Sequence, residues 1–332
     1  MKSQSITALL AALLTACSGG SSTPPAGGPG APSAPSPAGP VSSLGDLPDP
    51  FVLADGAGYM LYATNGQGKH VQALHSADLR SWRVLPDAMP ELASWVRPVD
   101  ARVWAPEVIK VGERHLLYYT ARSAALERQC IGVAVASSAQ GPFRDSAGAP
   151  LVCQSAEGGT IDASPFAANG RLYLYFKSDG NCCAQPTHLY GQELRADGLA
   201  LLGAPVRLLT NGRPWEGAVV EAPSMTLRDG RYLLFYSGND YGGAAYAVGY
   251  AGCSTPLGPC TPAPESPILK SRPGLIGPGH QALFQAGGQS MIAYHAWQEL
   301  AGGQRGQQRF LYIDKLDWVD GQPVVRGPTL VP

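Results

Sequence analysis

A short apolar-aromatic motif recurs five times at nearly constant spacing, and few folds are open to a chain with such a period. The copies read GYMLYAT, RHLLYYT, RLYLYFK, RYLLFYS and QSMIAYH. Their shared column holds Tyr62, Tyr118, Tyr175, Phe235 and Ala293, separated by 56, 57, 60 and 58 residues. Aromatic runs of this kind suit strands. Each copy follows a second strand-like segment: DPFVLAD, APEVIKV, DASPFAA, EAPSMTL or HQALFQA. With a Gly-bearing turn between them, each pair reads as a hairpin. Further alternations such as CIGVAVASS and YAVGYAGC bring each unit to about four strands. Four-stranded units repeated about an axis make an all-β five-bladed propeller. A β-sandwich would not produce one long period.

Composition agrees with this. The 332 residues include 41 glycines and 30 prolines, which favour turns over long helices. The formal net charge of −1 gives no basis for binding nucleic acid.

The chain divides into three stretches. Residues 1–16 begin MKSQSITALLAALLTA, with one early lysine and a short apolar run. This resembles a bacterial lipoprotein signal, cut before Cys17 with lipid attached to that cysteine. The run is too short for a mature transmembrane helix. Residues 17–42 form a lipidated cysteine and a Pro/Gly/Ser/Ala tether with little to bury. Residues 43–332 form the propeller. The expected location is outside the cytoplasm, on a membrane through the lipid anchor only. Six further cysteines in an exported chain imply disulfides. The expected pairs are Cys130–Cys153, between neighbouring strands of one unit, and Cys253–Cys260, across a Pro/Gly turn. That leaves Cys182 and Cys183 as a vicinal pair.

The start of each inner strand carries the chemistry. Aligned by motif, these positions are Asp49, Ala105, Asp162, Glu221 and His280, separated by 56, 57, 59 and 59 residues. Inner strands of a propeller line its channel, so these side chains meet around the axis. Two carboxyls across a pocket are the parts glycoside hydrolysis needs, and a third can raise the pKa of the acid. Each alone could cap a turn or pair with a cation; together in one repeat position they point to a site. Calcium prefers oxygen ligands, so His280 alone is a weak metal signal.

The segments LPDPFVL, VWAPEVI, GGTIDASPF, WEGAVVEAPSM, GPGHQALF and AYHAW, in this order, resemble glycoside hydrolase family 43, of the arabinofuranosidase or β-xylosidase type. The resemblance covers nearly all of residues 47–332. It implies inverting hydrolysis, with Asp49 as general base, Glu221 as general acid and Asp162 as the residue that tunes the acid and orients substrate. His280 matches a histidine that in several members sits at a calcium ion or its water shell. A structural calcium in the channel is thereby implied, with no cofactor required for the chemistry. Arg309 resembles an arginine that reaches substrate; as a residue of a surface strand it has a plain alternative role. Trp104 is a sugar-stacking candidate or a core aromatic, and Trp215 and Trp297 are candidates for the rim. Glu107 and Ala163 depart from the family's more usual Asp and Pro, and neither removes a catalytic carboxyl.

The expected function is exo-acting release of terminal α-L-arabinofuranosyl residues from plant cell-wall arabinan or arabinoxylan. The alternatives are a β-xylosidase and, from another class, a non-catalytic carbohydrate-binding surface lipoprotein.

Overall fold

The structure is a computed structural model that describes residues 44–56 and 58–327. The signal segment, Cys17 and the tether lie outside the described residues. Among the described residues nineteen strands form five antiparallel sheets, and each sheet follows chain order from the channel outward. Blade 1 is β1 (Phe51–Ala54), β2 (Tyr59–Ala63), β3 (Gln72–Ser76) and β4 (Arg83–Val84). Blade 2 is β5 (Trp104–Val111), β6 (Arg114–Arg122) and β7 (Gln129–Ala136). Blade 3 is β8 (Thr160–Ala168), β9 (Arg171–Ser178), β10 (His188–Leu194) and β11 (Leu201–Thr210). Blade 4 is β12 (Val220–Arg228), β13 (Arg231–Gly238), β14 (Ala247–Cys253) and β15 (Cys260–Pro262). Blade 5 is β16 (Ile276–Ala286), β17 (Gln289–Leu300), β18 (Gln304–Val319) and β19 (Gln322–Arg326).

Blade 2 has three strands where four were expected. Its outer position holds only isolated bridges, Val135 to Arg144 and Ile131 to Val152. Gly141 and Pro142 precede Arg144, and a proline cannot donate to a ladder.

The repeated column explains why the blades pack. Tyr62, Tyr118, Tyr175, Phe235 and Ala293 are all fully buried. Side chains alternate across a strand, so a strand buried on both faces serves two neighbours. Among the described residues the apolar core falls into five clusters, one at each blade interface. Truncating one such aromatic to Ala costs about 3–5 kcal/mol. Each inner strand also lies against the next, and β16 lies against β1. The ring is further tied where the Leu47 N–H donates to the Arg309 carbonyl at 2.9 Å and the Arg309 N–H donates to Asp46 Oδ1 at 2.6 Å.

The structure joins Cys130 to Cys153, Cys253 to Cys260 and Cys182 to Cys183. Cys253 and Cys260 are directly opposed on β14 and β15.

Candidate active site

Each inner strand opens with a residue in the left-handed backbone region: Asp49 (φ 56°), Ala105 (44°), Asp162 (59°), Ala222 (52°) and His280 (51°). The four from Ala105 onward sit in β-bulges, where the pairing register of β5, β8, β12 and β16 shifts. Bulges re-aim side chains, and left-handed non-glycine residues concentrate at functional sites. This corrects the expected register. The blade 4 equivalent of Asp162 is Ala222, not Glu221, and the separations become 56, 57, 60 and 58, those of the buried aromatic column. Glu221 sits one residue ahead of the bulge position, alongside Trp104 and Ile161 of the other blades. It still reaches the same space. Asp49, Asp162, Glu221, His280, Trp104 and Arg309 all line one cavity of about 320 Å³ at the axis.

Asp49 is gripped from two blades. Thr64 Oγ1 donates to its Oδ2 at 2.5 Å. His280 Nδ1 lies 3.2 Å and Arg309 Nη1 3.5 Å from its Oδ1. Burial would push this carboxyl up, but His280, Arg309 and the Thr64 hydroxyl outweigh it and hold Asp49 well below the usual carboxylate range. His295 Nδ1 lies 3.4 Å from Oδ1 and also accepts the Asp49 backbone N–H at 3.1 Å. A ring nitrogen that accepts carries no proton, so this contact is not an ion pair. Burial, aided by Arg309, pulls the His295 imidazole well below its ordinary value, in agreement.

Glu221 is held differently. Lys177 Nζ donates to its Oε2 at 2.8 Å, and the Tyr246 hydroxyl lies 2.7 Å from its Oε1. Lys177 is fully buried. Burial pulls its ammonium down, but Glu221, Asp162 and Asp179 outweigh this and hold it above its ordinary value. Asp162 Oδ2 accepts the Ala222 N–H at 2.9 Å. Burial, with the Glu221 charge beside it, pushes Asp162 up against the pull of His280 and Lys177. Burial also raises Asp179 to about 6. The sequence reading placed a carboxylate beside Glu221 and missed the lysine there.

The rim carries aromatic surface. Tyr241 lines the cavity, is 49% exposed and stacks on Trp297 with ring centroids 6.3 Å apart. Arg305 lies over the outer part of this pair, 4.1 Å from the Trp297 centroid, and Arg309 sits 5.4 Å from each ring. Trp297 is therefore a buried support for the rim. Trp215 is not at the rim: it packs on Tyr236 at 5.4 Å in the core between blades 3 and 4. Glu216 accepts from the Gly212 and Arg213 N–H groups and the Tyr236 hydroxyl, so it closes a loop. On the blade 3 side, Cys182 of the vicinal pair lines the cavity with Asp179.

Sequence reasoning missed Thr64, Lys177, Asp179, Tyr241, Tyr246 and His295. Thr64, Lys177 and His295 carried a signal, because each is the last letter of a repeated motif, in GYMLYAT, RLYLYFK and QSMIAYH.

His280 Nδ1 faces Asp49 Oδ1, and no group of three or more His, Cys, Asp or Glu among the described residues has the geometry of a metal site.

Comparison with known proteins agrees with the fold. The signature of Glycosyl hydrolases family 43 matches residues 39–323. Beta-D-galactofuranosidase xynD of Aspergillus niger is 27% identical over 74% of this chain and 73% of its own. Extracellular endo-alpha-(1->5)-L-arabinanase 1 of Bacillus subtilis is 24% identical over 83% of this chain and 87% of its own. The crystal structure of a thermostable family-43 glycoside hydrolase superposes with a TM-score of 0.79 at 31% identity, over 88% of this chain and 96% of that one. With the family signature spanning all five blades, the chain belongs to glycosyl hydrolase family 43.

Proposed function

We propose that the protein hydrolyses α-L-arabinofuranosyl linkages of arabinan with inversion, cutting within the chain. The observation that carries the reaction class is a pair of carboxyls in one cavity held by different partners, Asp49 as an anion among donors and Glu221 between the Lys177 ammonium and the Tyr246 hydroxyl. Glu221 gives its proton to the glycosidic oxygen as the bond to the anomeric carbon breaks. Asp49 takes a proton from a water whose oxygen bonds to that carbon from the opposite face. Each turnover thus leaves the Glu221 proton on the departing alcohol and a proton from water on Asp49, and exchange with solvent resets both groups. Asp162, tied to the Ala222 N–H, orients the sugar and sets the charge near Glu221.

Cleavage inside the chain is supported by the arabinanase relative and by Tyr241, a half-exposed ring at the cavity edge that Trp297 holds in place for stacking on a sugar. The limited cavity volume favours terminal release as the second reading. The two separate on linear arabinan: internal cleavage gives arabino-oligosaccharides first, terminal release gives arabinose alone. Release of neither overturns both. The arabinanase relative is named extracellular, and export of this chain fits the N-terminal segment.

A further inference from the structure

The residue two positions past the buried aromatic column is Thr64, Thr120, Lys177, Ser237 and His295 in blades 1 to 5. In four blades this side chain accepts the backbone N–H of the left-handed residue in the next blade. Ala105 N–H donates to Thr64 Oγ1 at 2.9 Å and Asp162 N–H to Thr120 Oγ1 at 3.2 Å. His280 N–H donates to Ser237 Oγ at 2.9 Å, and Asp49 N–H to His295 Nδ1 at 3.1 Å. Buried backbone donors need such partners, so this ring of bonds is part of how the blades are joined.

Lys177 breaks the pattern. An ammonium has three donors and no acceptor, so it cannot receive the Ala222 N–H. That group turns instead to Asp162 Oδ2 at 2.9 Å, and Lys177 Nζ reaches Glu221 Oε2 at 2.8 Å. Burying an ammonium is costly unless it is paired. The fold does not demand it here, since a hydroxyl fills the same slot in three other blades. One exchange therefore has two effects: it ties Asp162 to the β12 backbone next to Glu221, and it sets a fixed cation against Glu221.

We infer that Lys177 is a positioning residue for hydrolysis, which fixes Glu221 and Asp162 together and stabilises the negative charge Glu221 acquires as its proton leaves. This rests on the reading of Glu221 as the proton donor. In the reactive state Glu221 carries the proton it donates and becomes an anion beside Lys177 as the glycosidic bond breaks, so the lysine acts on the transition state.

The test replaces the lysine with the residue the other blades use. In Lys177→Thr the hydroxyl can take back the Ala222 N–H, so the blade contact is kept while Glu221 loses its cation. The expected result is a folded protein whose kcat on arabinan falls about a hundredfold with little change in KM. The alkaline limb of its pH profile moves up by about one unit, as loss of a neighbouring positive charge requires. An aryl arabinofuranoside with an acidic phenol needs little protonation, so on it the loss shrinks to about tenfold or less. Lys177→Arg, which keeps the charge, retains the wild-type limb. Equal loss on both substrates, an unmoved limb, or failure of Lys177→Thr to fold would each make Lys177 structural and overturn the inference. Glu221→Gln separates the two levels. If it keeps full kcat on arabinan, the reading of Glu221 falls; if it is inactive while Lys177→Thr is not impaired, only the role of Lys177 falls.

Discussion

The carboxyls on blade 1 and blade 4 are held by different means. Asp49 has donors on both oxygens from blades 1 and 5, and the Arg309 guanidinium brings positive charge to one of them. This surrounding admits one state, the anion. Glu221 has one ammonium on one oxygen and one phenol on the other. A phenol donates to a carboxylate and accepts from a carboxylic acid, so this surrounding admits both states. Burial, and the Glu221 charge after it, hold Tyr246 well above its ordinary pKa, so it does not ionise. Adjacent positions at the head of an inner strand can thus make a permanent base or a reversible acid, depending on what the surrounding blades offer.

The largest expected effect breaks the Asp49 side. Asp49→Asn should lower kcat by about a thousandfold or more on every substrate, because no leaving group replaces the activation of water. Steady-state rates on arabinan and on aryl arabinofuranosides measure this. The sign of the Asp49 shift adds a pH expectation. A carboxyl depressed in the folded state contributes stability above its unfolded pKa, which is lost as pH falls through the folded value. That folded value lies well below the usual range, so activity should show no acidic limb from Asp49 above about pH 3.

A smaller effect sharpens the comparison. Thr64 both accepts from Ala105 N–H and donates to Asp49, whereas Thr120 only accepts from Asp162 N–H. Thr64→Val and Thr120→Val should each lose about 1–3 kcal/mol of stability by leaving a buried N–H unpaired. Only Thr64→Val should also lose about tenfold in kcat. Urea melts and rates on the two variants test this, and equal loss of kcat in both would contradict it.

The smallest effect lies one layer down the channel. Burial raises Glu107 to about 8 from an ordinary 4.5, with Asp162 adding to the rise against a Ser164 hydrogen bond. Its folded pKa exceeds its unfolded one, so its contribution is full below about pH 4.5 and is lost as pH rises toward 8. Glu107→Gln should therefore gain at least about 1 kcal/mol relative to the parent between pH 5 and pH 8. Parallel stability curves for the two proteins over that interval would contradict it.

The propeller was legible because one apolar column recurs at the blade period, and packing between blades forces that column to be buried. Asp49, Asp162 and His280 were legible through the same period. Glu221 was placed one residue off because IDAS and VEAP align by chemical type, whereas the strand register follows Ser164 opposite Tyr175 and Ser224 opposite Phe235. Lys177 was invisible as a lone lysine ending an apolar strand, since its meaning comes from what the other four motifs hold at that letter. Tyr241 and Tyr246 lie in a blade 4 loop with no repeat to mark them. Blade 2's missing strand was not legible, because its outer segment touches β7 only at isolated bridges that a period cannot report.

The most direct test of the central claim is the dependence of kcat/KM on leaving-group acidity for Glu221→Gln and Asp49→Asn across a series of aryl arabinofuranosides. The account predicts that Glu221→Gln becomes steeply dependent and approaches wild type with the most acidic phenols, while Asp49→Asn stays uniformly impaired. The same dependence in both variants, or recovery of Asp49→Asn alone, would contradict the assignment of acid and base.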